Sequence, residues 1–203
     1  MYGLVNRAIQ CFVTDMHGPD AWSAVARGAG LDGAGLEAML SRDPAVTRQV
    51  LSAAADVLAR PEAELLEDMG TYLVSHPSVG ALRRLLRFGG EGFVEFLHSL
   101  DDLRDRARLA VTDLELPQLE LMDHAADRFS LRCLTGAPYR QDRAMIGFGH
   151  VMMGVLRGMA DDYGALVVLD HAGAQAGAEV IEITLVERCF STGRDFALGQ
   201  RAG

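Results

Sequence analysis

The side chains best placed to do chemistry gather around one stretch, Phe93 to Leu109, reading FVEFLHSLDDLRDRARL. Phe93, Phe96, Leu97, Leu100, Leu103 and Ala107 recur at three- and four-residue steps, which predicts one apolar stripe along an amphipathic helix. Arg104 falls on the inward side of that helix, four residues after Leu100. A cation there is costly unless it is paired or reaches water along its stem. A guanidinium stays protonated, so it can hold an anion but has no lone pair for a metal. His98 has a lone pair, yet six residues earlier on a helix it points to a different side, as a surface or packing residue. Asp101 and Asp102 read as a solvated helix face.

Further along, Tyr139 and Arg143 frame the segment YRQDR. Arg143 has the fork to clamp an anion bidentately, and a solvated loop before a helix accommodates the same residues. His150 lies among Met152, Met153 and the glycines 147, 149, 154 and 158. Such a helix either lines a pocket or packs closely on a sheet, and its imidazole reads as a packed or hydrogen-bonded core group. The three cysteines, Cys11, Cys133 and Cys189, are odd in number and scattered, which predicts reduced thiols in a cytoplasm. Cys133, His171 and Cys189 lack the paired spacing and the fourth ligand of a zinc site. A nucleophilic role for Cys133 or Cys189 would require a depressed thiol pKa. Motifs for a nucleophile elbow, a phosphate loop, a dinucleotide fingerprint or a zinc protease are missing from the sequence, so no catalytic activity is predicted.

The elements that must position these groups follow from periodicity and breakers. Helices are predicted over Tyr2 to Met16, from an Asp20 cap to about Ala29, over Leu36 to Leu40, and from the Asp43-Pro44 start to Leu58. Two more follow over Glu62 to Val74 and Val79 to Leu86, with Gly89-Gly90 as a hinge. After Leu109 the pattern changes. Glu115 to Met122 alternates and carries Pro117, which predicts an edge segment. Arg128 to Leu134 alternates as a strand, Met145 to Tyr163 reads as a helix, and Leu166 to Asp170 with Glu179 to Cys189 as a hairpin. The predicted class is α+β: a helical N-terminal half on a C-terminal half with a small, mostly antiparallel sheet and a helix. Residues 191–203 show no pattern and are expected to be a disordered tail.

With 203 residues and 49% hydrophobic content the chain builds a substantial core. A net charge of −9 excludes the clustered basic surface that nucleic acid requires and disfavours anionic membranes. No apolar run reaches the length of a membrane helix, and the N-terminus lacks the layout of a signal peptide.

Several motifs, in order and at nearly constant spacing, carry a resemblance. They are MYGLVNRAI at the start, HGPDAW at 17–22, DPAVT at 43–47, FVEFLHSLDDL at 93–103, LPQLEL at 116–121 and GVLRGMADDYG at 154–164. In these the chain resembles the H-NOX (heme-nitric oxide/oxygen binding, HNOB) domains, from Met1 to about Glu187. The resemblance implies a single domain over 1–190, with a helical subdomain over about 1–65 and a sheet-containing subdomain over about 66–190. It implies heme between the halves and a shift of one half against the other on ligand binding. It also implies a signalling partner that reads the shift: a cyclase, diguanylate cyclase, histidine kinase or chemotaxis protein.

Two positions depart from the family pattern. The axial histidine of the family follows the Leu of FLxxLDxL, here Phe96, Leu97, Leu100, Asp101 and Leu103, and the next residue is Arg104. The Tyr-x-Ser-x-Arg that holds the heme propionates falls, ungapped, on Cys133, Thr135 and Ala137; a shifted register places it on Tyr139, Gln141 and Arg143. Pro117 matches a proline that packs on heme in relatives, and by itself reads as an edge-strand stop. His150 stands as the candidate for an unorthodox iron ligand from the distal side. The expectation is a cytoplasmic regulatory module that works without heme and takes at most a small apolar ligand. The alternative is a heme-binding NO or O2 sensor with an unusual ligand or weak heme affinity.

Overall fold

A computed structural model of the chain describes residues 2–31, 44–110, 116–134 and 147–194. The expected helix over Leu36 to Leu40 lies outside the described residues, as do Thr135, Ala137, Tyr139 and Arg143.

The N-terminal half is helical. Helix α1 (Tyr2–His17) and α2 (Pro19–Gly28) meet at Gly18, whose φ of 90° is open to glycine and strained for other residues. That turn corrects the expected cap: Gly18 caps α2 with Pro19 at its first position, and Asp20 lies in the first turn, where its charge suits the positive end of the helix. Helix α3 (Pro44–Leu58) and α4 (Glu62–Ser75) follow, parted at Arg60-Pro61. Ile9, Phe12, Val13, Val25, Val50, Leu65 and Met69 make the core of this half.

A single turn of 3-10 helix (Pro77–Val79) leads into α5 (Gly80–Arg87). The stretch from Phe93 is two helices, α6 (Phe93–His98) and α7 (Leu103–Ala110), where one was expected. The physical reason lies in the turn between them. Ser99 Oγ donates to the carbonyl of Phe96 at 2.7 Å, while Leu100 N–H and Leu103 N–H bond to carbonyls three residues back. Asp101 Oδ1 accepts the N–H of Leu121 at 2.7 Å, which fixes that turn to the sheet. All six stripe residues are still buried, because the turn keeps both helices on the same core.

The sheet has four antiparallel strands in the order β1-β2-β4-β3: β1 (Gln118–Ala125), β2 (Arg128–Leu134), β3 (Leu166–Gln175) and β4 (Ala178–Glu187). Phe129, Leu131 and Cys133 alternate inward from β2, as do Ile181, Ile183 and Leu185 from β4. Helix α8 (Phe148–Tyr163) lies between this sheet and α4. Its core face, with Met152, Met153, Leu156 and Met159, joins Phe93, Phe96, Leu97 and Leu100 in the second core. Its other face meets α4 at unusual closeness. A Cβ on Gly154 would stand 1.9 Å from the carbonyl oxygen of Glu67, and one on Gly70 would stand 2.0 Å from that of Val151. Gly154 therefore serves a helix–helix contact with α4, as do Gly147 against Leu66 and Gly158 against Val74, whereas Gly149 meets His171 and Glu179 of the sheet, as the sequence reading allowed. Beyond β4 the chain turns back, and the N–H groups of Ser191 and Arg194 bond to the carbonyls of Gly164 and Asp162.

Candidate functional site

The axial position that the resemblance implies falls in the first turn of α7. Leu103 and Ala107 are buried there, and Arg104 between them is half-buried. The turn at Ser99–Asp102 breaks the even 100° step on which the inward placement of Arg104 rested, and with it the angular argument for His98. His98 faces solvent all the same, 51% exposed, with Nε2 3.9 Å from Asp123 Oδ1 and its ring edge-on to Phe129. Pro117 is half-buried and immediately precedes β1, an edge strand.

None of the six histidines is buried. His150 sits in the first turn of α8, and its ring leaves the apolar core: Nδ1 is 3.3 Å from Glu67 Oε1 and the ring stacks on His171 at 4.1 Å. Burial works to raise the Glu67 carboxyl, but hydrogen bonds from Arg157 and His150, with the charges of both, hold it below the ordinary range. Sequence reasoning had treated His150 and His171 separately; a helix and a strand 21 residues on give no local signal that their rings meet.

Sulfur offers little chemistry. Burial, and then the Glu179 charge, push the Cys133 thiol up to about 12, so it carries no thiolate at neutral pH. Cys11 is half-buried and Cys189 exposed. Among the described residues no group of three or more His, Cys, Asp or Glu is arranged to hold a metal ion.

A serine, a histidine and an aspartate do meet elsewhere. Tyr72 Oη donates to Asp15 Oδ2 at 2.7 Å and Ser78 Oγ to the same oxygen at 3.1 Å. Those two bonds, Tyr72's first, hold the Asp15 carboxyl below its ordinary value. His76 Nδ1 is 2.8 Å from Ser78 Oγ and 3.6 Å from Asp15. One ring nitrogen thus faces both partners, whereas a proton relay needs the two nitrogens on opposite sides. The group caps the 3-10 turn, because the Ser78 N–H also approaches that nitrogen at 3.4 Å.

A helical half, a four-stranded antiparallel sheet and α8 between them make the frame, and its sequence decides the family. The family model for Haem-NO-binding domains (HNOB) matches residues 2–171. The chain belongs to the Haem-NO-binding family. In relatives this type of domain is a sensor domain. Among curated proteins it is similar to soluble guanylate cyclase gcy-31 of Caenorhabditis elegans, 24% identical over 162 residues. That similarity covers 80% of this chain but 22% of the cyclase, so the chain spans about a fifth of that relative's length.

Solved structures share the HNOB fold over nearly the whole chain. A mutant of T. tengcongensis H-NOX superposes with a TM-score of 0.68 at 14% identity, covering 93% of this chain and 99% of that one. An H-NOX protein from S. oneidensis in the Fe(II) ligation state gives 0.67 at 18% identity, covering 93% and 97%. An oxygen-binding H-NOX domain related to soluble guanylate cyclases gives 0.61 at 14% identity, covering 96% and 100%. The antiparallel sheet, the edge placement of β1 and the helical N-terminal half thus agree with the class expected from the sequence. Among the described residues no helix is long and apolar enough to cross a membrane.

Proposed function

We propose that this HNOB chain is a regulatory module that modulates a partner signalling protein without holding heme. One observation carries it: Arg104 occupies the position that family resemblance gives to the axial ligand, in the first turn of α7 between buried Leu103 and Ala107. Iron needs a lone pair, supplied to heme by an imidazole, a thiolate, a thioether or a phenolate. The guanidinium has none to give, and His150 is engaged by Glu67 and His171 outside the apolar core. Arg104 and His150 as placed therefore do not fit an imidazole-ligated heme, and no step of the mechanism runs through one.

Signalling in this reading comes from the joint between the halves. Helix α8 is fixed to α4 by the Gly70 and Gly154 contacts and to α5 by the Arg83–Asp162 pair, so a change at α8 moves more than one element. The partner classes are those the resemblance implies: a cyclase, diguanylate cyclase, histidine kinase or chemotaxis protein. Similarity to a guanylate cyclase supports the first of them.

An absorption spectrum tests the proposal. Protein made with ample heme, and protein reconstituted with heme afterwards, is expected to show no stoichiometric Soret band. A stoichiometric band would overturn it and establish the second reading, a gas sensor with an unorthodox ligand, which family membership favours. Loss of that band in His150→Gln would then name His150 as the ligand.

A further inference from the structure

At the seam between α8 and the sheet, two imidazoles stack face to face between two carboxylates. The rings of His150 and His171 are 4.1 Å apart and inclined by 15°. On one side Glu67 Oε1 of α4 is 3.3 Å from His150 Nδ1; on the other, Glu179 Oε2 of β4 is 3.8 Å from His171 Nε2. The four side chains are between 16% and 25% exposed, so water screens them weakly. The row joins the helical half, α8 and both strands of the β3–β4 hairpin.

Other groups face this row from each element packed on it. From α8, Arg157 donates to Glu67 Oε2 at 2.9 Å, and the Gly149 N–H donates to Glu179 Oε2. From β2, Cys133 pairs with Glu179 in register and is a neutral thiol. With neutral rings, Arg157 offsets the charge of Glu67, while the N–H and the positive first turn of α8 face Glu179. One proton shared by the pair sets a cation between two carboxylates. A second proton places two cations at ring-contact distance, with Arg157 close by as a third and the helix N-terminus opposing them as well.

We propose that the His150–His171 stack is a proton-operated latch, holding the first turn of α8 on the sheet with at most one proton and releasing it with two. Imidazole changes charge between about pH 5 and 8, and two coupled rings titrate as a pair. The latch rests on the heme-free reading, because iron held by His150 would leave that ring nitrogen no proton to gain; a Soret band in the same sample would tell failure of that reading from failure of the latch.

The test follows the ring Cε1–H signals of both histidines in the whole chain by NMR from about pH 4 to 8. Amide exchange over residues 150–153, corrected for intrinsic pH dependence, is followed alongside. The expected result is a two-step curve for each ring, with exchange rising by about tenfold or more across the lower step. In His171→Gln the remaining ring titrates in one step and the rise disappears, while His98→Gln, an exposed control, keeps both. Independent one-step curves in the parent protein overturn the latch. So does the absence of a second proton above about pH 4, or unchanged protection as it binds. If His171→Gln fails to fold, the parent's curves and exchange decide the matter alone.

Discussion

Replacing Gly154 by alanine tests the central packing argument, that α8 is held to α4 backbone to backbone. The new Cβ would stand 1.9 Å from the Glu67 carbonyl oxygen, 2.7 Å from the Thr71 nitrogen and 2.8 Å from the Glu67 carbonyl carbon. All three atoms are backbone, so no side chain can swing aside. Restoring ordinary contact requires the helices to part by roughly 1.5 Å. Overpacking of this kind costs about 1–3 kcal/mol. Parting also weakens the bond from Thr71 Oγ1 to the Gly154 carbonyl, 3.2 Å long and worth about 1 kcal/mol. Against this, alanine in place of glycine favours a helix by about 1 kcal/mol. The expected net loss is about 1–3 kcal/mol, read as a lower urea midpoint at unchanged slope. Gly158→Ala is the companion measurement: its Cβ would meet a single side-chain methyl, Val74 Cγ2 at 2.5 Å, and the nearest backbone atom stands 3.9 Å away. Its loss is expected to be smaller, under about 1 kcal/mol. A Gly154→Ala protein as stable as its parent, or a Gly158→Ala that costs more, would refute the close contact.

Two further variants probe buried charge and thiol chemistry. Asp162 has 1% of its side chain exposed and accepts from Arg83 Nη2 at 3.0 Å, with Arg194 Nε 3.8 Å from the same oxygen as a second cation, so Arg83→Ala is expected to cost about 1.5–3 kcal/mol; a thermal melt within 1 °C of the parent would be inconsistent with it. The double variant Arg83→Ala, Asp162→Ala is expected to cost less than the two single losses together, since it strands no charge. With iodoacetamide at pH 8, Cys189 is expected to react in the folded protein while Cys133 waits for denaturant, because its thiol is pushed up to about 12. Rapid labelling of native Cys133, mapped by peptide mass, would reopen the thiol-nucleophile reading.

Much of the fold was legible along the chain. Arg128 to Leu134 alternates cleanly and is a strand over those residues, and the helix over Glu62 to Val74 runs one residue further, to Ser75. The break inside Phe93 to Leu109 was not legible. Its apolar spacing suits a continuous helix, and what interrupts it is a carboxylate, Asp101, bound to a backbone N–H twenty residues away on β1. The cap at Gly18 was missed because an acidic residue after proline resembles a cap, while a positive φ leaves no mark in the sequence except glycine itself.

At the candidate site the sequence by itself settled residue chemistry. Arg104 cannot donate a lone pair whatever surrounds it, since protonation of a guanidinium hardly depends on its environment. Family membership too is carried by short motifs in fixed order, which need no coordinates. What tertiary structure decided is everything that depends on distance between separate elements: the turn of His150 out of the core, its stacking on His171, and the glycine contact of α8 with α4. Helical and strand periodicity fix the face on which a side chain lies, whereas the group it meets there is chosen by packing between segments far apart in the chain.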